Sequence, residues 1–102
     1  MFEEWIEIRD LEGYEISNQG RVRNAKTRRI LKTDFNRPGG YERVKIAGKN
    51  RYIHKMMADS FSYEGLRPGD VVQHRDKDRT KNYLYNLRIK RKSNGFDLID
   101  YR

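Results

Sequence analysis

Cysteine is absent from this sequence of 102 residues, which excludes disulfide bonds and cysteine-ligated zinc. Histidine occurs only twice, which is too few to complete a structural zinc site. Long apolar runs are also absent, since no stretch approaches the roughly 18 residues that a membrane-spanning helix needs. The chain starts with an acidic segment, unlike the basic start of a secretory signal. We therefore expect a soluble cytoplasmic protein with no membrane partner, in which oxygen atoms hold any metal.

The composition predicts a small folded protein rather than a disordered one. Hydrophobic residues make up 35% of the chain and charged residues 37%, but aromatic residues reach 12% and can anchor a compact core. The length allows one domain or two very small ones. The net charge of +8 favours an anionic polymer, nucleic acid first, as the partner. A solvated basic surface without a specific partner is the alternative.

The basic residues are concentrated in two segments. Residues 1–15 carry six acids and one base, whereas residues 21–32 carry six bases and no acid. Residues 75–92 carry eight bases and two acids. We expect these two basic segments to contact the phosphates of a nucleic acid.

The spacing of apolar residues predicts an α+β fold. Short extended segments and turns fill the first half, with a hairpin over residues 14–23 and further strands at 29–32, 41–46 and 51–53. Apolar residues that recur at intervals of three and four predict a helix over residues 54–61, and residues 70–74 favour a strand. We therefore predict a small β-rich domain over residues 1–50, and a helix followed by a second motif over residues 51–102.

His74 lies at the end of that last predicted strand, and Asn82 and Asn86 follow it eight and twelve residues later. A lone histidine at a strand end more often makes a structural hydrogen bond than takes part in catalysis, and asparagines suit caps and turns. The spacing of the three residues shifts this interpretation toward a functional site.

The spacing resembles the HNH nuclease motif in its short phage and intron-borne form. The residues that match in register are Val72, His74, Asp76, Asn82, Asn86 and Leu87. The preceding chain resembles the nuclease-associated modular domain through Trp5 and the segments 13–23, 29–32, 39–41 and 52–55. The resemblance covers nearly the whole chain. It implies a small antiparallel sheet plus a helix, followed by a ββα-metal motif, in a homing-type endonuclease of a bacterial or phage-infected cell.

The resemblance also implies roles for the matching residues. One divalent ion, Mg²⁺ or another divalent cation, would hold the phosphate to be cleaved. His74 would be the general base, since an imidazole is largely neutral near pH 7 and accepts a proton from water. Asn86 would orient the imidazole or the water, and Asn82 would brace the loop. His54, which the family also carries, would have a packing, capping or phosphate-contact role.

The metal ligands depart from the family pattern. Gln73, a neutral amide, occupies the position before the histidine, where the family commonly has Asp or Asn. Gly95 occupies the second ligand position, with Asn94 one residue out of register and Asp97 as an alternative ligand. A final helix over residues 93–102 would contain Gly95 in its first turn, where glycine costs about 1 kcal/mol relative to alanine. We expect a weakly held metal.

The candidate DNA contacts are basic side chains of the strands, the helix and the loop after His74, namely Arg21, Arg23, Arg43, Lys45, Lys55, Arg75 and Lys77. The leading hypothesis is an endonuclease that nicks or cuts double-stranded DNA. The alternative is a degenerate HNH protein, kept for binding DNA or for blocking another nucleic-acid enzyme through a protein contact. An RNA-binding or ribosome-associated protein would explain the charge but not the spacing from His to Asn.

Overall fold

The computed structural model describes residues 2–91 and the backbone of Asp97–Leu98. In this part of the chain, nine short strands form three antiparallel sheets of three strands each. One α-helix lies between the second and third sheets in the sequence and contacts strands of all three sheets. The α+β fold predicted from the sequence is confirmed. No helix in the described part has the length and apolar character needed to cross a bilayer.

The first sheet contains the predicted hairpin and one strand before it. Its strands, in order across the sheet, are β1 (Trp5–Glu7), β2 (Tyr14–Ser17) and β3 (Val22–Asn24). Gly20 adopts a φ of +85° in the turn between β2 and β3, a conformation that glycine reaches without strain. Ile16 and Val22 lie opposite each other and are fully buried, so this face of the hairpin is core.

The second sheet consists of β4 (Thr33–Phe35), β5 (Glu42–Ile46) and β6 (Lys49–Tyr52). Val44 and Ile46 are buried while Lys45 between them is exposed, which confirms the predicted two-residue alternation. Ala47 and Gly48 link β5 to β6 with positive φ angles of 52° and 79°, as a tight hairpin turn requires.

The helix α1 (Ile53–Phe61) follows β6 directly. A loop then leads to the third sheet, whose strands are β7 (Val71–His74), β8 (Leu87–Lys90) and β9 (Asp97–Leu98), with a 3₁₀ turn over Leu84–Asn86 before β8. His74 lies opposite Leu87, and Gln73 lies opposite Arg88. This hairpin brings the end of β7 to the start of β8.

The core is shared by the two halves of the sequence. Helix residues Ile53, Met57 and Phe61 belong to one buried cluster that also includes Ile16 from the first sheet and Leu87 from the third. Burying such apolar side chains supplies most of the driving force for folding a chain of this size. The division into domains at residue 50 stays a prediction.

Two expectations about secondary structure were wrong. Residues 29–32 do not form a strand: Ile30 makes one isolated bridge with Arg23, and β4 begins at Thr33. The final helix fails at Asp97–Leu98, which pair as a strand with β8, because the open edge of β8 supplies the hydrogen bonds that a short helix would have to make within itself. The rest of that predicted helix, with Asn94 and Gly95, lies outside the described residues.

Candidate active site and nucleic-acid interface

His74 is the last residue of β7, and the loop that follows holds its ring. Nε2 of His74 lies 2.7 Å from Oδ1 of Asn82. Asn82 is only 3% exposed, and its amide nitrogen donates a hydrogen bond of 2.9 Å to Oε1 of Glu42 on β5. His74 itself is half-buried. Its imidazole is therefore held in place while part of the residue remains open to solvent.

Asn86 forms its hydrogen bonds within the loop between β7 and β8. Its amide nitrogen donates to Oδ1 of Asp76 at 3.0 Å and to the carbonyl oxygen of Lys81 at 2.8 Å, and its Oδ1 accepts from the backbone N–H of Asp76. These bonds close the loop between β7 and β8. The loop folds back and brings Asn82, rather than Asn86, to the imidazole. Orientation of the attacking water by Asn86 stays a prediction.

A cluster of rings lies on one side of His74. The ring of Tyr41 stacks on His54, with centroids 4.7 Å apart, and the rings of His54 and His74 are 5.4 Å apart. His54 is only 4% exposed, and burial, followed by the charge of His74, lowers the pKa of His54 to about 4. His54 therefore presents a neutral ring to His74, which favours the packing role among those considered for it.

The turn between β2 and β3 contacts the backbone at Asn82 and at Leu84. The N–H of Leu84 donates to the carbonyl oxygen of Asn18 at 2.9 Å. A Cβ atom on Gly20 would lie 2.6 Å from the carbonyl oxygen of Asn82, so no side chain fits at this position. The β2–β3 turn therefore supports the residue that holds His74, a connection that sequence reasoning missed although the turn itself was predicted.

An open groove of about 460 Å³ lies beside His74. Four basic residues line it, namely Arg75, Lys77, Arg79 and Arg88, and no acidic residue of the described part of the chain does so. The guanidinium of Arg79 lies 4.5 Å above the ring of Tyr41 and donates to the carbonyl oxygen of Gly39. Such a groove attracts phosphate, since its cations are concentrated in one concave surface.

The seven predicted DNA contacts fall into two groups. Three are paired with an acid: Arg21 with Glu3, Arg23 with Glu15 and Arg43 with Asp34. The other four are exposed: Lys45, Lys55, Arg75 and Lys77. Arg75 and Lys77 lie in the groove with His74, whereas sequence reasoning did not single out its other two cations, Arg79 and Arg88.

The described residues do not fit a divalent metal ion. Gln73 is the one predicted ligand whose side chain is described, and its Oε1 accepts a hydrogen bond of 3.3 Å from Nε of Arg88. No group of three His, Cys, Asp or Glu side chains converges anywhere in the described part of the chain. Asn94 and the side chain of Asp97 lie outside it. A cation in the groove would meet guanidinium groups rather than carboxylates.

Comparison with known proteins finds similarity to HNH endonucleases. A family model described as the NUMOD4 motif matches residues 3–47. DNA endonuclease I-HmuI of Bacillus phage SP01 is 36% identical over 90 residues, and an uncharacterized HNH endonuclease of Acanthamoeba polyphaga mimivirus is 31% identical over 91 residues. The solved structure described as DNA binding and cleavage by the HNH homing endonuclease I-HmuI has a TM-score of 0.72 and 34% identity, covering 86% of this chain. This chain is similar in sequence and in fold to HNH homing endonucleases.

The HNH relatives are longer than this chain. The two sequence matches cover 83% and 85% of the chain but 51% of I-HmuI and 27% of the mimivirus protein. The structural match covers 52% of the solved I-HmuI chain. The resemblance to HNH endonucleases with a nuclease-associated modular domain is confirmed. HNH endonucleases generally depend on a divalent metal.

Proposed function

We propose that this HNH chain binds double-stranded DNA and hydrolyses a phosphodiester bond with His74 as the general base. The observation that carries the proposal is the position of His74: its ring is fixed by Asn82 at the end of a strand, beside a groove lined by four basic residues. A general base needs a fixed orientation and access to water, and a phosphate needs cations.

The groove and the imidazole perform complementary parts of the hydrolysis. Arg75, Lys77 and Arg79 would hold the phosphate and offset the negative charge that develops on it. His74 would take a proton from a water molecule, whose oxygen attacks phosphorus while the bond to the leaving oxygen breaks. The leaving oxygen then takes a proton from solvent.

Metal binding is expected to be weak. The amide of Gln73 is a poor ligand for a hard cation and is engaged by Arg88, which competes with any cation for the same oxygen. Mg²⁺ or another divalent ion would therefore be held loosely and cleavage would be slow. The ligands proposed outside the described side chains are Asn94 and Asp97.

Nicking of supercoiled plasmid tests the proposal. We expect slow nicking by the unchanged protein and its loss in His74→Ala. Tyr63→Ala, at an 80% exposed position in the loop after α1, is the matched control and should nick as the unchanged protein does. Nicking that persists in His74→Ala would exclude this mechanism.

A degenerate HNH protein is the second candidate, and the contact between Gln73 and Arg88 favours it. Such a protein would bind duplex DNA through the same groove without nicking it, and would be retained for that binding or for blocking another nucleic-acid enzyme. Comparison of duplex DNA with RNA at one salt concentration separates both candidates from an RNA-binding protein, which would prefer RNA.

A further inference from the structure

Glu42 connects the region matched by the NUMOD4 motif to the imidazole of His74. It lies on β5 within residues 3–47, and its Oε1 accepts the hydrogen bond from the amide nitrogen of Asn82 at 2.9 Å. Its Oε2 accepts a hydrogen bond of 2.6 Å from the hydroxyl of Thr33 on β4. Both carboxylate oxygens therefore accept a hydrogen bond. The bond from Thr33, within the second sheet, orients the carboxylate so that Oε1 faces Asn82.

This contact determines which atom of Asn82 faces His74. A carboxylate has no hydrogen to donate, so the side of the amide that meets Glu42 must be the NH₂ group. Oδ1 of Asn82 must then face Nε2 of His74, at the observed 2.7 Å. An amide oxygen only accepts, so Nε2 of the neutral ring carries the hydrogen and Nδ1 carries the lone pair.

We propose that Glu42 is a positioning residue: through Asn82 it sets the tautomer of His74 and so makes Nδ1 the basic atom. The catalytic part of this inference rests on the function proposed above. Gly20 and Asn18 hold the backbone around Asn82, so rotation of its amide is the freedom that Glu42 removes. A buried amide that could rotate would offer His74 a donor as readily as an acceptor.

Substitutions at Glu42 should act according to their hydrogen-bonding groups. Glu42→Gln still offers an oxygen to Asn82 and can donate its NH₂ to Thr33, so it should retain the tautomer. Glu42→Ala frees the amide. Glu42→Lys offers a donor, which turns Oδ1 of Asn82 toward position 42 and its NH₂ toward His74. Nε2 of His74 must then accept, so Nδ1 carries the hydrogen. Glu12→Lys is the charge-matched control, since Glu12 is exposed in the turn between β1 and β2.

Nitrogen NMR of protein labelled with ¹⁵N-histidine reads the tautomer directly. The chain has two histidines, so the spectrum contains two rings, and His54→Phe assigns them. At a pH where both rings are neutral, we expect Nε2 of His74 to be the protonated nitrogen in the unchanged protein, in Glu42→Gln and in Glu12→Lys. In Glu42→Lys the protonated nitrogen should be Nδ1, and Glu42→Ala should give a mixture. If both Glu42→Ala and Glu42→Lys keep the tautomer of the unchanged protein, the inference is overturned.

Plasmid nicking by the same variants tests the catalytic consequence. We expect a loss of about 10- to 100-fold in Glu42→Ala and a larger loss in Glu42→Lys, with rescue in Glu42→Gln. The added positive charge in Glu42→Lys should strengthen DNA binding, so a loss of nicking there cannot come from weaker binding. A tautomer change without any change in nicking would overturn the catalytic role of Glu42. Absence of nicking by the unchanged protein would overturn the proposed function instead, and the NMR result would still decide whether Glu42 positions His74.

Discussion

At the scale of single residues, the two histidines of this chain lie side by side in different surroundings. His74 makes a hydrogen bond to Asn82 and borders the basic groove. His54 is stacked on Tyr41, and its Nδ1 is buried without a hydrogen-bond partner in the described part of the chain. A buried imidazole of this kind disfavours the charged form. His54 therefore serves the fold while His74 serves the proposed chemistry.

The burial of His54 should make the fold sensitive to acid. Its pKa is about 4 in the folded protein, against about 6.5 in an unfolded chain. The unfolded chain therefore takes up the proton first, so the free energy of unfolding should fall as the pH decreases from about 6.5 to about 4. The expected loss from this group by about pH 4.5 is roughly 2–3 kcal/mol, measured by urea unfolding.

The control for this pH dependence is His54→Phe, which keeps a ring on Tyr41 but cannot titrate. Carboxylates that become protonated in the same range are common to both proteins, so the difference between the two profiles isolates His54. The variant should lose less stability on acidification. An equal loss in both proteins would contradict the assignment of a buried neutral imidazole.

Gln73 gives the second prediction at this scale. Replacing it by Asp puts an anionic oxygen where the family has a metal ligand, so Gln73→Asp should increase Mg²⁺-dependent nicking of supercoiled plasmid. The gain is limited by Arg88, which would form an ion pair with the new carboxylate. The gain should disappear with a chelator and in the double variant that also carries His74→Ala. Robust Mg²⁺-dependent nicking by the unchanged protein would instead show that another oxygen ligand completes a metal site.

At the scale of secondary structure elements, the loop between β7 and β8 depends on a different sheet. Asn86 closes the loop from inside through Asp76 and Lys81. The turn between β2 and β3 packs against the same loop, where Gly20 lies close to the carbonyl group of Asn82. The position of the imidazole thus depends on a turn more than fifty residues earlier in the sequence.

Gly20→Ala should therefore affect both stability and activity. The Cβ would lie 2.6 Å from the carbonyl oxygen of Asn82, and the φ of +85° is costly for alanine. The backbone cost alone is about 1–2 kcal/mol. Gly48→Ala is the matched control, because its φ is +79° but no described atom beyond its two chain neighbours lies within 4 Å of its Cβ position. We expect Gly20→Ala to lose more stability in urea unfolding, and more nicking, than Gly48→Ala, and equal effects of the two would contradict the support of Asn82 by this turn.

Local patterns predicted the elements well, but they could not predict which side chains meet. The alternation of Val44 and Ile46, and the Met and Phe side chains of α1, gave the core faces of β5 and α1 correctly. Which of Asn82 and Asn86 contacts the imidazole was not predictable, since spacing does not show how a loop folds back. Glu42 was missed for the same reason: it lies forty residues from Asn82, and only the packing of the second sheet brings them together.

At the scale of the whole molecule, the net charge is +8, and ion pairs with acids offset some of the basic side chains. Three of the predicted DNA contacts, Arg21, Arg23 and Arg43, each form an ion pair with an acid. Each pair offsets the positive charge of its arginine. The positive potential is therefore lowered around these three side chains, whereas no acidic residue of the described part of the chain lines the groove beside His74.

Salt dependence of duplex DNA binding measures this distribution of charge. If about five phosphates are engaged, the slope of log K against log salt concentration should be about −4 to −5. Removing Arg75 and Lys77 together should make the slope less steep by about 2 and weaken binding to all duplex sequences alike, because these exposed cations line the groove. Removing Arg21 and Arg23 together is the matched control, since the same charge is lost from side chains already paired with Glu3 and Glu15. The slope of this control should change less.

A larger change in the control would show that the DNA interface lies on the first sheet. A slope near zero for the unchanged protein would exclude phosphate binding as the basis of the proposed function.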